Sequence, residues 1–233
     1  MIKTTVNTIR LARAFTMKMI KPKENYFFAT KSLKPLSRKF GFDRGTPIDR
    51  YWIEDFLGKN SKDIKGRCLE IESNYYTAKF AQSKVTQSDI LDYNKNNKTA
   101  IHGNLKNLKN VIMDNTYDCI ILTQVLGSID EPKEAISECF RILKKNGVLL
   151  LTSAAFSPTY DQKNSFWRFT TASVNYLLKK SFKNILVTSY GNVLAGQYFW
   201  TGVAQEELTK KELDYNDPNF PCLIAARASK GAK

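Results

Sequence analysis

The sequence predicts an α/β fold built on a doubly wound, mostly parallel sheet. Three observations carry this. Short strand-sized runs recur at 67–71, 84–87, 99–102, 118–123 and 148–152. Helical stripes lie between them, most plainly after Pro132, where Ala135, Ile136, Cys139, Phe140 and Leu143 share one face. The clearest runs are continuously apolar rather than alternating, the pattern of strands covered on both faces. Strands of this kind alternating with helices make a parallel sheet with helices on either side.

Composition narrows the class. A chain of 233 residues suits one globular domain with additions. Apolar content of 42% and charged content of 25% are ordinary for a globular fold. The formal charge of +14 is not: one reading is a nucleic-acid or anionic-membrane surface, the other a lysine bias, and lysine outnumbers arginine 27 to 9 with the lysines scattered along the chain. Phosphate readers favour arginine forks, so the excess reads as lysine bias and no specific nucleic-acid partner is expected. Cys68, Cys119, Cys139 and Cys222 each stand alone in apolar surroundings, which fits reduced, buried thiols and a cytoplasmic protein. With no CxxC spacing and His102 as the single histidine, no metal site and no histidine-centred triad is expected. No apolar run has the length of a membrane-spanning helix.

Taken in order, residues 1–34 read as a basic arm, with eleven Lys or Arg against two acids over 1–44. Peripheral membrane contact through this arm is one reading of it; a solvated arm is the preferred one. Residues 35–233 read as the folded domain. Thr46 is placed to cap a helix with Pro47 at its first position and Asp49 in its first turn; Ile48, Trp52, Ile53, Phe56 and Leu57 form its apolar stripe. A short helix is expected over 77–82. Asn146-Gly147 is expected to end the helix that Pro132 opens. Beyond the fifth strand come a helix at 171–180, a strand at 182–190, a helix at 194–208 broken by Gly196 and Gly202, and a last strand at 222–227.

Ligands of such sheets bind beyond the carboxyl ends of the strands. Glu70 to Asn74, Asp89, Asn104 and Thr123-Gln124 are expected there. Asp89 follows Glu70 by nineteen positions, the separation at which an acid on the second strand reaches ribose hydroxyls.

The motifs FGFDRGTPIDRYWIEDFL (40–57), GRCLEIESNYYT (66–77), VTQSDILDY (85–93), YDCIILTQVL (117–126), RILKKNGVLLLT (141–152), FWRFT (166–170) and YGNVLAG (190–196), in that order, resemble the class I S-adenosylmethionine-dependent methyltransferases. More narrowly they are similar to a bacterial methyltransferase-domain group often found beside glycosyltransferases. The resemblance covers roughly residues 35–230. It implies a seven-stranded Rossmann-like sheet with a terminal antiparallel strand, S-adenosylmethionine as cofactor, and methyl transfer to an oxygen of a small or glycan-linked acceptor, as in polysaccharide biosynthesis. It places Glu70, Glu72 and Asn74 in the loop under the methionine part, Asp89 at the ribose, Asn104 and Leu105 at the adenine, and Gln124 at the floor. Arg44 and Tyr51 would close over the cofactor carboxylate.

Three residues depart from the family pattern. Glu72 stands where a glycine is usual, adding bulk and negative charge. Asn104 replaces an aspartate, though its carbonyl can still accept from an amine. Gly127 stands where relatives carry a larger residue, often histidine. The alternative is therefore a binding or scaffold protein of this fold that has lost the cofactor. Asp161 is a candidate base and Arg168 a candidate for orienting the acceptor; each also reads as a loop residue. Tyr198-Phe199-Trp200 offers aromatic surface for a sugar ring or for packing.

Overall fold

The computed structural model describes residues 32–81 and 83–231. All but the last three residues of the arm expected over 1–34 lie outside them. The chain forms two compact units. One comprises the residues up to Trp52 with Phe156–Pro158 and Ser189–Leu223. The other comprises Ile53–Ala155, Thr159–Thr188 and the residues from Ile224 on.

The second unit holds all but a few end residues of the sheet. Its strands are β1 (Gly66–Ile71), β2 (Val85–Asp92), β3 (Ile101–His102), β4 (Tyr117–Thr123), β5 (Leu143–Ala154), β6 (Lys183–Tyr190) and β7 (Leu223–Ser229), in spatial order β3-β2-β1-β4-β5-β7-β6. The first five pair in parallel. β7 runs the other way: Asn146 N donates to Lys230 O at 2.7 Å and Lys230 N to Gly147 O at 2.9 Å, joining the start of β5 to the end of β7. This is the expected seven-stranded α/β sheet, mostly parallel with an antiparallel terminal strand. The strand order reverses between β1 and β4, the switch point where such sheets hold ligands.

Burial explains the strands. Cys68, Leu69, Ile120, Ile121, Leu149 and Leu150 are fully buried in the central strands. Helix α3 (Pro132–Ile142) lays Ala135, Ile136, Cys139 and Ile142 onto the same core. The helix α1 (Ile48–Lys59) carries Asp49 in its first turn and Lys59 in its last, each complementing the dipole. Its predicted stripe is buried: Ile48, Trp52, Ile53, Phe56 and Leu57 are at most 4% exposed. All four cysteines are buried and free.

Several expectations need correction. Thr46 does not cap α1; its N–H and Oγ1 donate to Glu206 at 2.9 and 2.6 Å, while Pro47 bridges Ala204. Asn146-Gly147 does not end α3. The helix stops at Ile142 and β5 starts at Leu143, with Asn146 in the left-handed region (φ 63°) inside the strand. Strand β2 runs five residues past its predicted end at Gln87. Helix α2 (Tyr75–Phe80) starts two residues earlier than expected. After α4 (Thr171–Leu178), the helix expected over 194–208 is α5 (Val193–Thr201). Gly196 lies inside it, and Gly202, at φ 78°, terminates it by adopting the left-handed turn that a side chain disfavours. A short further helix, α6 (Lys210–Asp214), was not foreseen.

Candidate functional site

The carboxyl ends of β1, β2, β3 and β4 bring together the loop after Ile71, the turn after Asp92, the turn after His102 and Gln124.

Glu70 is 2% exposed and does not project into solvent. Its carboxylate accepts from Tyr76 N at 3.0 Å, Thr77 N at 2.7 Å and Thr77 Oγ1 at 2.8 Å. An acid thereby satisfies the first amides of α2 and faces the positive end of its dipole. It fixes the loop 72–74 between strand and helix. Asn74 is exposed and its side chain makes no capping bond.

Glu72 has φ 66°, and its N–H donates to Leu91 O at 2.9 Å. It adopts the left-handed backbone that a glycine would take without penalty, at a cost of about 1 kcal/mol. Its side chain is exposed, so its charge is screened by water. The departure from glycine keeps the loop's path and points the glutamate outward.

Asp89 is not at the carboxyl edge. It pairs with Leu69 in mid-strand, three residues short of the end of β2. There Arg67 Nε and Nη2 both reach its Oδ2 at 2.7 Å, Gln87 Nε2 donates to Oδ1 at 2.9 Å, and the Tyr117 hydroxyl donates at 3.0 Å. Burial first, then Asp89, pushes the Tyr117 hydroxyl above its usual pKa. The acid at the edge is Asp92, beside His102 in the β2–β3 register. Its Oδ1 accepts from Asn94 N at 2.7 Å, which leaves acceptor capacity for a ligand hydroxyl. Sequence reasoning missed Asp92 because it ended β2 too early. The signal was Ile90-Leu91, an apolar pair that continues the strand.

A cavity of about 540 Å³ opens beside Asp92, lined by Tyr93, Asn94, Lys95, His102, Gly103 and Asn104. His102 is partly buried, and its Nδ1 is enclosed with no hydrogen-bond partner among the described residues. It was expected as a packed histidine. Asn104 is exposed, with Oδ1 accepting from Lys106 N at 3.0 Å. Leu105 is 6% exposed and belongs to the core cluster.

At the end of β4, Gln124 has φ 59°, and its N–H donates to Thr152 O at 2.9 Å. Gly127 follows, and the segment 166–169 explains its lack of a side chain. Phe166 N and Trp167 N both donate to Gly127 O at 3.0 Å, and a Cβ on Gly127 would lie 3.0 Å from Trp167 O. The space of a larger side chain is taken by this aromatic segment. Trp167 Nε1 donates to Asp130 O at 3.2 Å, leaving Phe166 and Trp167 48% and 44% exposed. Arg168 is exposed and its Nη1 donates to Trp167 O at 3.0 Å. Asp161 spends its oxygens within its own turn, accepting from Lys163 N at 2.9 Å and Asn164 Nδ2 at 2.6 Å.

Arg44 and Tyr51 lie in the first unit and are committed there. The Arg44 guanidinium grips Glu207 at 2.9 and 2.6 Å, and the Tyr51 hydroxyl donates to Asp214. In that unit Phe156 and Trp200 stack at 4.7 Å, each about half exposed, while Phe199 is buried.

Residues 57–151 match the family model of a methyltransferase domain. A comparison with curated proteins gives no match. Among solved structures the chain is similar to a SAM-dependent methyltransferase from Archaeoglobus fulgidus, at 14% identity over 83% of this chain and 100% of that one, with a TM-score of 0.56. It is similar also to the N-methyltransferase NodS from Bradyrhizobium japonicum WM9, solved with S-adenosyl-L-homocysteine, at 12% identity over 80% and 89%, TM-score 0.54. The [4+2]-cyclase SpnF matches at 15% identity over 78% and 82%, TM-score 0.52. At these identities the likeness speaks for the fold, and a cyclase among the matches shows that the fold alone does not set the reaction. Over residues 57–151 the chain is similar to a methyltransferase domain, and its strand order is the one expected from the resemblance to the class I S-adenosylmethionine-dependent methyltransferases. The cofactor of that class is S-adenosylmethionine.

The residues at the carboxyl edge fit that cofactor. The β1 loop keeps a glycine-like path at Glu72, Asp92 retains acceptor capacity beside the cavity, and the enclosed His102 Nδ1 has no hydrogen-bond partner among the described residues.

Proposed function

We propose that the chain binds S-adenosylmethionine along the carboxyl edge of β1, β2 and β3 and transfers its methyl group to a hydroxyl of a small or glycan-linked acceptor. The observation that carries the cofactor half is Asp92 at the edge, partly uncommitted, beside the cavity lined by His102 and Asn104. Asp92 would accept from the ribose hydroxyls. Glu70, by capping α2, would hold the loop that follows the methionine part. The bound cofactor supplies an electrophilic methyl on sulfur, so the protein's share is orientation and exclusion of water.

Support for a sugar-like acceptor comes from Phe166 and Trp167, whose half-exposed rings are pinned next to Gly127 past the end of β4. Aromatic faces suit the C–H faces of sugars. Arg168 is exposed beside Trp167 and would meet acceptor hydroxyls or an acidic group.

Incubating the protein with methyl-labelled S-adenosylmethionine and separate pools of oligosaccharides, peptides and nucleosides tests the reading. The expected result is alkali-stable label on sugar oxygen. Label on nitrogen or carbon instead, or release only by hydrolysis, removes the acceptor half of the proposal.

A further inference from the structure

Six of the 27 lysines, scattered in the sequence, lie on one edge of the sheet. That edge is formed by the amino ends of β1, β2, β4, β5 and β6 and the far end of β7. Lys65 precedes β1, Lys84 precedes β2, Lys145 lies in the opening of β5, and Lys183 begins β6. Lys179 and Lys180 follow α4 on the way into β6. All six are exposed, and none forms an ion pair among the described residues. From β2 to β6 they span roughly 24 Å, at about 4.8 Å per strand.

The acids of this edge are already matched. Asp63 binds Arg227 at 2.8 Å, Asp118 binds Lys144 at 2.7 Å and Asp114 binds Arg141 at 2.6 Å. What remains is a row of ammonium groups that form no ion pair among the described residues. Mutual repulsion within the row opposes folding.

The kind of cation tells what the row fits. Three guanidiniums of this edge, Arg67, Arg141 and Arg227, are each locked onto carboxylates. No planar fork on this face is therefore left to grip a nucleic-acid phosphate in the bidentate manner. The free groups are flexible point charges, which suit a diffuse anionic surface. Tyr176, 47% exposed, lies between Lys179 and Lys180, whose ammonium groups sit 5.2 and 5.4 Å from its ring centre. A tyrosine flanked by lysines is a combination that settles at a lipid headgroup boundary. No helix among the described residues is long and apolar enough to cross a membrane, so contact would be peripheral.

We infer that the amino edge of the sheet is a docking face for an anionic lipid surface, with the carboxyl edge turned away from it. The inference does not depend on the methyl acceptor.

Flotation of the full-length protein with vesicles tests it, using phosphatidylcholine alone and phosphatidylcholine mixed with phosphatidylglycerol. Binding is expected only to the second, falling as salt rises. Each lysine near such a surface contributes roughly fivefold, so the triple variant K65E/K84E/K145E should lose about a hundredfold or more in partitioning. The charge-matched variant K109E/K163E/K211E should lose far less. If K65E/K84E/K145E unfolds, K179S/K180S/K183S serves in its place. Equal losses in edge and matched variants, undiminished binding of the edge variant, or tighter retention of duplex DNA than of anionic vesicles would each overturn the inference.

Discussion

The two edges of the sheet turn their chains differently. At the amino edge the left-handed turns fall on Asn115, Asn146 and Asn184, with Ser83 and Gly66 beside them. Asparagine enters that region readily because its short amide bonds locally, and glycine enters it without cost. At the carboxyl edge the same backbone is imposed on Glu72 and Gln124, residue types that enter that region less readily than asparagine. Strain that a sequence could easily avoid is kept on the edge that holds the site. Charge divides likewise. Asp92 keeps acceptor capacity at the carboxyl edge, while the acids of the amino edge are paired and its lysines are left over. One edge is built for recognition at some expense of stability. The other is built on undemanding turns and carries surplus charge.

Substitution of the two neighbouring acids on β2 separates the edges most sharply. Asp89→Ala leaves the Arg67 guanidinium and the Tyr117 hydroxyl without their shared acceptor. It should cost about 3 kcal/mol of stability in denaturant melts while leaving cofactor affinity nearly unchanged. Asp92→Ala should do the reverse, weakening S-adenosylhomocysteine about thirtyfold through loss of a charge-assisted bond, with little change in stability.

Relief of strain comes next. Glu72→Gly and Gln124→Gly should each raise the unfolding free energy in denaturant melts by about 1 kcal/mol, less what glycine loses in the unfolded chain. Asn146→Gly should gain less, because asparagine is already tolerated there. Cofactor binding that appears only in Glu72→Gly would favour the scaffold reading over an active enzyme.

The smallest effect concerns acid. Arg141 holds the Glu138 carboxyl below the usual glutamate range, against the opposing influence of burial. A carboxyl depressed in the folded state adds stability at neutral pH and loses it as pH falls through the folded value. Glu138→Gln should therefore flatten the acid limb of the stability–pH curve by at most about 1 kcal/mol, without moving cofactor affinity.

The fold was legible because its evidence is periodic. Continuous apolar strands such as 118–123, and the stripe after Pro132, announce buried strands and a covering helix whatever the details. The site was less legible because it depends on register. Five residues of unrecognised strand moved the edge acid by three positions, from Asp89 to Asp92, and exchanged a structural ion pair for a proposed ligand contact. Gly127 shows a second limit. Its missing side chain looked like a lost group, yet it admits the main chain of Trp167, forty residues away, and only tertiary packing reveals that. The lysines show a third: spacing along the chain hides an edge assembled from strand ends.

The central claim is that the carboxyl edge, through Asp92, is the cofactor edge. Calorimetric titration of the full-length protein and its Asp89→Ala and Asp92→Ala variants with S-adenosylhomocysteine tests it most directly. The account predicts saturable one-site binding in the parent and in Asp89→Ala, and about thirtyfold weaker binding in Asp92→Ala. Absence of binding in the folded parent, or a loss that follows Asp89 rather than Asp92, would contradict it.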